Sequence, residues 1–274
     1  MNIVRFSKMH GAGNDFILID DRDERFPVDD HRGIAAMATR PDGIGCEGVI
    51  VLQRSAKADF KMRFFNPDGT EADLCGNGAR CVAAFARAVG AVDSDSMRFE
   101  TAAGFIDAEI VGPGKVKVSM PLPEKCKVRN FGRYKLPVVK FDGISHTIVT
   151  ERMPKPLAEM MIREWANKVR AGAFGILLMS KDYREMTPLV YVKSTDTVVA
   201  ESSCASGTAA VGAWLAVEKK EPVNLTIRQP GGELSIEVEV TDGNVSKLLL
   251  GGHVSCVEEG QMQAEEKVFH LKHD

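Results

Sequence analysis

The chain is organised around one stretch of its first half, which reads Asn66-Pro67-Asp68-Gly69-Thr70-Glu71-Ala72-Asp73-Leu74-Cys75-Gly76-Asn77-Gly78-Ala79-Arg80. A strand-like run, residues 60–65, leads into a turn at residues 67–69. A second turn at residues 75–78 precedes an alanine-rich helix pattern over residues 79–89. Backbone N–H groups and the dipole at a helix start stabilise a thiolate, and glycines let a ligand approach the backbone. The stretch therefore predicts a reactive thiol at Cys75 beside an anion-binding site.

The second half of the chain repeats this arrangement. Its version reads Glu201-Ser202-Ser203-Cys204-Ala205-Ser206-Gly207-Thr208. Another apolar helix pattern follows at residues 209–217, and each cysteine has a glycine three residues later, Gly78 or Gly207. Further downstream, Gly104 and Gly232 occupy matching places between two strand patterns. A duplication with so long a period predicts two related domains rather than a solenoid.

Short strands dominate the predicted elements, and each half has one apolar central helix. This pattern predicts an α+β fold of two pseudo-symmetric domains, each a curved, mostly antiparallel sheet wrapped around its central helix. Pro121-Leu122-Pro123 marks the predicted boundary. The N-terminal domain then covers residues 1–121 and is completed by residues 262–274, and the C-terminal domain covers residues 122–261. An alternating Rossmann pattern does not fit the order of elements.

The predicted elements follow from apolar periodicity and turn residues. Helices are expected after Asp29-Asp30 as far as residue 38, and at residues 79–89, 156–169 and 209–217. Strands are expected at residues 4–9, 16–20, 48–52, 60–65, 97–102, 105–111, 115–120, 138–141, 146–150, 174–179, 189–193, 224–228, 234–241, 245–251 and 267–271.

Composition excludes several classes of protein. The 274 residues are 44% hydrophobic and 27% charged, which indicates a soluble globular chain. A net charge of −3 argues against a broad nucleic-acid-binding surface. No apolar run approaches the roughly 20 residues of a membrane span, and the first residues lack the apolar segment of a secretory signal. We therefore expect a cytoplasmic protein whose partners include neither nucleic acid nor a membrane.

The six cysteines are expected to be thiols, since disulfides are rare in the cytoplasm. No two of them form a CxxC pair, and no histidine lies at metal-ligand spacing from them, so no metal site is predicted. Most cysteines in proteins are buried and inert. We expect this of Cys46, Cys81, Cys126 and Cys256. The duplicated loop and helix set Cys75 and Cys204 apart.

Three motifs of the first half resemble the diaminopimelate epimerase family, and the resemblance extends over essentially the whole chain. The motifs are His10-Gly11-Ala12-Gly13-Asn14-Asp15-Phe16, Phe65-Asn66-Pro67-Asp68-Gly69-Thr70-Glu71 and Cys75-Gly76-Asn77-Gly78-Ala79-Arg80-Cys81. The resemblance implies two pseudo-symmetric domains with the active site in the cleft between them. It also implies racemisation or epimerisation of an amino acid without pyridoxal phosphate, metal or any other cofactor. The two catalytic cysteines of the family match Cys75 and Cys204.

The chemistry fits this layout, because inverting an α-carbon needs a base on one face and an acid on the other. A thiolate and a thiol supply both. Two helix N-termini would bind the substrate carboxylate and stabilise the developing carbanion. Their donors would be the backbone N–H groups of Gly76, Asn77, Ala205 and Ser206.

The resemblance implies further roles for four side chains. Asn14 and Asn66 match substrate-contacting positions, and His146 and Glu201 match groups that set the protonation states of the thiols. Simpler roles stay open: Asn66 and Asn77 as turn residues, His146 as a structural histidine, and Glu201 as a charge that stabilises a helix dipole.

The substrate is less well defined, because the residues that hold the distal group of diaminopimelate are missing. Ile144 and Ala173 stand where the family has asparagines, Gly48 stands where it has a glutamine, and no Glu-Arg-Gly run precedes Cys204. An arginine is hard to replace where it binds a carboxylate with two hydrogen bonds. Residues 197–204 and 229–232 resemble instead the histidine racemases of the same superfamily. Histidine is therefore the expected substrate, with diaminopimelate or another amino acid as the alternative.

Two other classes of protein remain. A binding-only protein of this fold would keep the helix N-termini and lose one thiol, whereas this chain has both. Proline or hydroxyproline racemisation uses the same pair of cysteines, but the motifs of the first half favour the diaminopimelate epimerase branch. The expected partner is a small amino-acid substrate, and a homodimer is left open.

Overall fold

In the computed structural model, the described residues, 2–265 and 268–270, form 18 strands and four helices. The chain divides into two compact units. One comprises Met1–Val118 with Gly252–Asp274, and the other comprises Ser119–Gly251. The predicted domains instead divide after residues 121 and 261, and that domain assignment stays a prediction. None of the helices that the structure describes is long and apolar enough to cross a membrane.

The first unit contains eight strands and two helices in the first part of the chain. These are β1 (Asn2–Gly11), β2 (Asn14–Asp20), α1 (His31–Ala38), β3 (Val49–Gln53), β4 (Phe60–Phe65), β5 (Glu71–Ala72), α2 (Gly76–Ala88), β6 (Ser96–Thr101), β7 (Gly104–Gly112) and β8 (Lys115–Ser119). The strands pair in the order β1-β2-β3-β4-β6-β7-β8, with β5 beside β4. The pairs β2–β3 and β4–β6 are parallel and the others antiparallel.

The second unit begins with β9. Its elements are β9 (Lys125–Phe131), β10 (Tyr134–Lys140), β11 (Ile144–Val149), α3 (Lys155–Val169), β12 (Ala173–Met179), β13 (Met186–Val192), β14 (Thr197–Ala200), α4 (Ala205–Lys219), β15 (Val223–Gln229), β16 (Gly232–Thr241) and the first residues of β17 (Asn244–Glu265). Six strands pair in the order β14-β13-β12-β11-β10-β9, and β15 pairs with β16. The remainder of β17 belongs to the first unit, where it pairs with β1 and with β18 (Val268–His270).

The two units repeat one order of elements. In each, a hairpin is followed by a helix, an antiparallel pair, a short strand, a second helix and another hairpin. The pairings match as well, since β2–β3 and β11–β12 are both parallel, and β4–β5 and β13–β14 are both antiparallel. The order of elements therefore carries the same duplication as the two cysteine motifs.

Most of the helix that follows each cysteine is buried. Ten residues of α2 and ten of α4 are buried, many of them alanine, which favours helix formation and permits close packing. Helix α2 packs against β1, β2, β3, β4 and β7, and α4 packs against β9, β10, β11, β15 and β16. Each helix is thus surrounded by strands of its own unit, which is the arrangement that the α+β prediction describes.

The other helix of each unit supports a second core. In the first unit, Ile34 and Met37 of α1 pack with Val49 and Phe65 of the sheet. In the second unit, Trp165 of α3 stacks on Phe131 with ring centroids 4.7 Å apart. These cores fix the strands from which several of the polar residues described below project.

Some predicted elements differ from the observed ones. Helices α2 and α4 begin directly after Cys75 and Cys204, three or four residues earlier than predicted. Strands β9 and β14 were not predicted, because β9 alternates charged with uncharged residues and buries only its last residue, Phe131, and β14 is largely exposed. Strand β17 continues to Glu265 instead of ending at residue 251. In the predicted strand at 267–271, Lys267 and Leu271 lie outside the described residues.

Candidate active site

Cys75 is the N-cap of α2. Its backbone is extended, with φ −123° and ψ 115°, and its Sγ accepts a hydrogen bond from the Gly78 N–H at 3.5 Å. The first bond of the helical ladder runs from the Ala79 N–H to the Cys75 carbonyl at 2.7 Å. The N–H groups of Gly76 and Asn77 therefore lie outside the ladder of the helix, at the end where its dipole is positive.

Cys204 caps α4 in the same way. Its φ is −124° and its ψ is 107°, and its Sγ accepts the Gly207 N–H at 3.3 Å. The ladder begins with the Thr208 N–H and the Cys204 carbonyl at 2.9 Å. Here Ala205 and Ser206 supply the two N–H groups outside the ladder. Cys204 is buried, with 4% of its surface exposed, whereas Cys75 is partly exposed.

The glycine three residues after each cysteine lies close to an apolar side chain of a neighbouring strand. A Cβ on Gly78 would lie 2.8 Å from Cδ1 of Ile50, and one on Gly207 would lie 2.8 Å from Cδ2 of Leu177. Each glycine thus lets the first turn of its helix sit close to a strand while its N–H reaches the cysteine sulfur.

A chain of hydrogen bonds surrounds the first turn of α2. The buried Arg80 donates from Nη2 to Oδ1 of Asn77 at 2.9 Å, and Asn77 donates from Nδ2 to Oδ1 of Asn14 at 2.6 Å. Asn14 in turn donates to the carboxylate of Glu47. Burial of that carboxylate raises the pKa of Glu47, and the bond from Asn14 opposes the rise. The chain fixes which way each amide points.

A different set of groups surrounds Cys204. The fully buried His146 is hydrogen-bonded through Nε2 to Oγ of Ser206 at 2.8 Å, and that oxygen lies 3.5 Å from the Cys204 sulfur. Burial lowers the pKa of His146 to about 3, so the imidazole is neutral at ordinary pH. Burial raises the pKa of Cys204 well above its usual range, and the charge of Glu201 and its hydrogen bond to the thiol raise it further.

Gln229 holds the backbone of Cys204, a contact that the sequence did not lead us to expect. Its Oε1 accepts the Cys204 N–H at 2.8 Å, and its Nε2 donates to Oγ1 of Thr208 at 2.9 Å. The Thr208 hydroxyl donates to the Cys204 carbonyl at 2.8 Å. One signal was available, because the alternation of Leu225, Ile227 and Gln229 along β15 places the glutamine on the buried side.

Most residues proposed from the sequence lie close to one of the two cysteines. Asn14 and Asn77 are bonded together beside the cap of α2, and His146, Ser206 and Glu201 surround Cys204. Asn66 has a local role, since its N–H and side chain both bond to Thr70 in its own turn, the latter at 3.1 Å.

The remaining cysteines differ in exposure. Cys46 and Cys81 are buried as expected, and burial raises their pKa values to about 11 and about 12. Cys126 is partly buried, and burial raises its pKa to about 11. The expectation of burial is wrong for Cys256, which is exposed in the middle of β17. Within the described ranges, no three His, Cys, Asp or Glu side chains are grouped as metal ligands would be.

Solved structures identify the fold. The chain resembles the crystal structure of a phenazine biosynthesis protein of the PhzF family from Bacillus anthracis with a TM-score of 0.72 and 16% sequence identity. The match covers 96% of this chain and 100% of that one. The architecture is therefore the mostly-sheet fold, with four helices in the described residues, that PhzF-type and related proteins share.

Sequence comparisons identify the family. The family model "Histidine racemase CntK N-terminal domain" matches residues 3–263. The diaminopimelate epimerase of Aquifex aeolicus is 31% identical over 293 residues, which cover 96% of this chain and 99% of the relative. Higher identity occurs over shorter alignments: the enzyme of Thioalkalivibrio sulfidiphilus is 44% identical over 124 residues, 44% of either chain. The chain belongs to the diaminopimelate epimerase-like family of racemases and epimerases, and it is an isomerase.

Proposed function

We propose that the protein is a histidine racemase that interconverts L- and D-histidine with Cys75 and Cys204 as its acid–base pair. The observation that carries this proposal is the repeated cap: each cysteine begins a buried helix and receives an N–H from its first turn. A thiol at such a place can become a thiolate, and the remaining N–H groups can bind a carboxylate.

The proposed reaction needs one proton removed and one proton added. The thiolate of one cysteine takes the α-proton of histidine and becomes a thiol. The C–H electron pair stays on the substrate as a carbanion delocalised into the carboxylate. The thiol of the other cysteine then protonates the opposite face and becomes a thiolate. The roles reverse for the opposite enantiomer, and no cofactor takes part in the proposed steps.

The carbanion is the costly species, and its charge rests largely on the substrate carboxylate. We assign its stabilisation to the N–H groups outside the helical ladders, those of Gly76, Asn77, Ala205 and Ser206. Donors fixed in place before the reaction stabilise a developing charge without reorganising. The surroundings of Cys204, with a nearby carboxylate and full burial, support its role as the thiol that donates a proton.

Histidine is favoured as the substrate by two observations. The histidine racemase family model spans almost the whole chain. In addition, Ile144 and Ala173, which replace two amides expected for diaminopimelate, are direct partners on the parallel strands β11 and β12. Both are half-buried. An apolar pair there would suit a flat imidazole better than the distal amino-carboxylate of diaminopimelate, which needs polar partners.

Diaminopimelate epimerisation is the second candidate, because the relative from Aquifex aeolicus matches over its full length. A third candidate is a non-catalytic amino-acid-binding protein of the same fold. The three candidates differ in whether an α-hydrogen exchanges with solvent and on which amino acid.

The test is an NMR screen of α-hydrogen exchange with purified, reduced protein in D₂O. It offers L-histidine, meso-diaminopimelate and the other common L-amino acids. Exchange on histidine supports the proposal, exchange on diaminopimelate alone replaces it with the second candidate, and binding without exchange replaces it with the third. For variants that lack Cys75 or Cys204, the control is Cys256→Ser, which removes an exposed thiol that has no part in the proposed reaction. We expect activity to survive a chelator and hydroxylamine, and loss to either would point to a metal or to pyridoxal phosphate.

A further inference from the structure

The guanidinium of Arg80 is buried in an unusual way. The side chain has no exposed surface, and its Nη2 and Nη1 donate to Oδ1 of Asn77 and to the Gly76 carbonyl, the latter at 3.3 Å. Its Nε is buried without an acceptor. Among the described residues, no carboxylate lies within ion-pair distance of it. A buried cation is costly unless a negative charge accompanies it.

The groups that can supply this charge are thiols. Desolvation lowers the pKa of Arg80, and the charges of Cys81 and Cys75 oppose the change. Cys81 is fully buried with a pKa of about 12, so it is a thiol at neutral pH. The carboxylate of Glu47 is separated from the guanidinium by the amides of Asn77 and Asn14. The charge of Arg80 also lowers the pKa of Cys81, but that thiol stays protonated at neutral pH, which leaves the partly exposed Cys75 as the thiol that can carry the negative charge.

The second helix has no equivalent of this arginine. The fifth residue after the cysteine is Arg80 in α2 and Ala209 in α4. The charged group beside Cys204 is instead the carboxylate of Glu201, which disfavours a thiolate. The backbone caps are alike, but the charges behind them have opposite signs.

We propose that Arg80 is a positioning residue that holds Cys75 in the thiolate form in the substrate-free protein, so that Cys75 is the resting base and Cys204 the resting acid. This inference rests on the proposed two-thiol reaction. Its physical basis is reciprocal: the buried cation needs an anion, and a thiolate one turn away is stabilised by that cation. The enantiomer that presents its α-hydrogen to Cys75 then finds the enzyme ready to react.

Steady-state kinetics alone would not reveal this asymmetry. The two enantiomers have equal free energy, so kcat/KM must be the same in both directions at every pH. The protonation of each thiol has to be measured directly. Because a thiolate is the reactive form, the pH dependence of alkylation reports it without any need for substrate turnover.

The experiment measures the rate of iodoacetamide modification of each cysteine between about pH 5 and pH 10, read by mass spectrometry. Trypsin cleaves after Arg63 and Arg80, so Cys75 and Cys81 fall on different peptides of the wild type. In variants without Arg80, fragment ions separate the two. Arg80→Gln removes the charge and keeps a donor for Asn77, Arg80→Lys keeps the charge, and Arg87→Gln removes an exposed charge from the same helix as a control.

We expect the modification midpoint of Cys75 in the wild type to lie below the ordinary value of about 8.5, and below that of Cys204. Arg80→Gln should raise it by about one unit, which slows modification near pH 7 about tenfold, while Arg80→Lys and Arg87→Gln stay close to the wild type. Coincident profiles for Arg80→Gln and Arg87→Gln would overturn the proposal. If Arg80→Gln does not fold, the wild type decides: because both cysteines have the same backbone cap, a Cys75 midpoint below both about 8.5 and the midpoint of Cys204 supports the proposal, and any other result overturns it.

The outcome is separable from that of the proposed function. A protein that fails to exchange any α-hydrogen would refute the racemase assignment, and the alkylation profile would still report the effect of Arg80 on Cys75. Conversely, an active racemase with an ordinary Cys75 thiol would retain the function and lose this inference.

Discussion

The surroundings of Cys75 and Cys204 combine one backbone geometry with two different sets of side chains. Both cysteines cap a helix with nearly the same dihedral angles and accept an N–H from the glycine three residues later. Cys75 is partly exposed and has a buried arginine one turn away, whereas Cys204 is buried beside Glu201. The two units therefore share one backbone geometry at the cysteine, and the neighbouring side chains make the two thiols differ in exposure and in the charge beside them.

The second residue after each cysteine shows the same principle. Asn77 is bonded to Asn14, and Ser206 is bonded to His146, in each case a side chain from the strand that precedes the first helix of the unit. In the first unit this pair continues to the charged Glu47 and Arg80. In the second it ends at an imidazole that burial keeps neutral. The network of the first unit therefore joins charged side chains, whereas that of the second unit joins a hydroxyl group to a neutral imidazole.

The largest expected effect is the loss of either thiol. Cys75→Ala and Cys204→Ala should each reduce racemisation by about 10²–10⁴-fold or more, because each removes a general acid–base from the proposed reaction. The measurement is α-hydrogen exchange of histidine in D₂O together with the optical rotation of the product. Exchange at the wild-type rate in either variant would sink the two-thiol scheme. Cys46→Ala, a change at a buried cysteine of the first unit, controls for general damage.

The next effect is a dependence of stability on pH that originates at His146. Its pKa is about 3 in the folded protein and about 6.5 when unfolded, so the unfolded chain binds an extra proton between these values. Stability should therefore fall as the pH is lowered from about 6.5 towards about 3, by up to about 1.4 kcal/mol per pH unit and about 5 kcal/mol in all.

The measurement is urea denaturation at several pH values for the wild type and for His146→Asn. The variant should lose stability because Ser206 loses its partner, but its stability should fall less steeply with acid. Identical slopes for the two proteins would show that His146 is not the group responsible. His31→Asn, which removes an exposed histidine, is the matched control.

A smaller effect should follow from freeing the backbone of Cys204. Gln229→Met keeps the volume of the side chain but leaves the Cys204 N–H buried without its acceptor, which costs about 1–3 kcal/mol of stability. Gln53→Met is the comparison in the first unit, since Gln53 donates to Asp21 at 2.8 Å at the end of β3 and is only partly buried. The test compares the loss in free energy of unfolding of the two variants, measured in urea. A cost at Gln229 no larger than that at Gln53 would contradict the assigned role.

Local patterns were enough to predict much of the fold. Strand β4 occurs at the predicted residues 60–65, since its apolar alternation is regular, and Asp30 caps α1 by accepting the Gly33 N–H as its type suggests. The starts of α2 and α4 were placed too late because cysteine is not among the usual N-cap residues and the following glycines indicate a turn. Edge strands such as β14 bury too little to leave a periodic signal.

The side-chain networks were less accessible to prediction. The cysteines could be selected because the loop and helix around each are contiguous in sequence. The bonds from Asn77 to Asn14 and from Cys204 to Gln229 join residues 63 and 25 positions apart, and such pairs depend on how strands and helices pack. The burial of Arg80 was equally hard to predict, because it follows from the packing of α2 against five strands. The functional roles of these residues stay predictions.

The smallest expected effect concerns the hydroxyl group of Ser206, which belongs to the hydrogen-bond network around Cys204. Ser206 Oγ lies between His146 and Cys204, and its hydrogen bond to the sulfur lowers the pKa of that thiol against the larger effects of burial and Glu201. Ser206→Ala should therefore raise the pKa of Cys204 further and make it a weaker proton donor. We expect a loss of about tenfold in kcat, equivalent to about 1.4 kcal/mol, and a shift of the alkaline limb of the pH profile to higher pH. Ser202→Ala, in the loop before the cysteine, should change neither. A lower kcat with an unmoved pH profile would mean that Ser206 only shapes the helix start and does not tune the thiol.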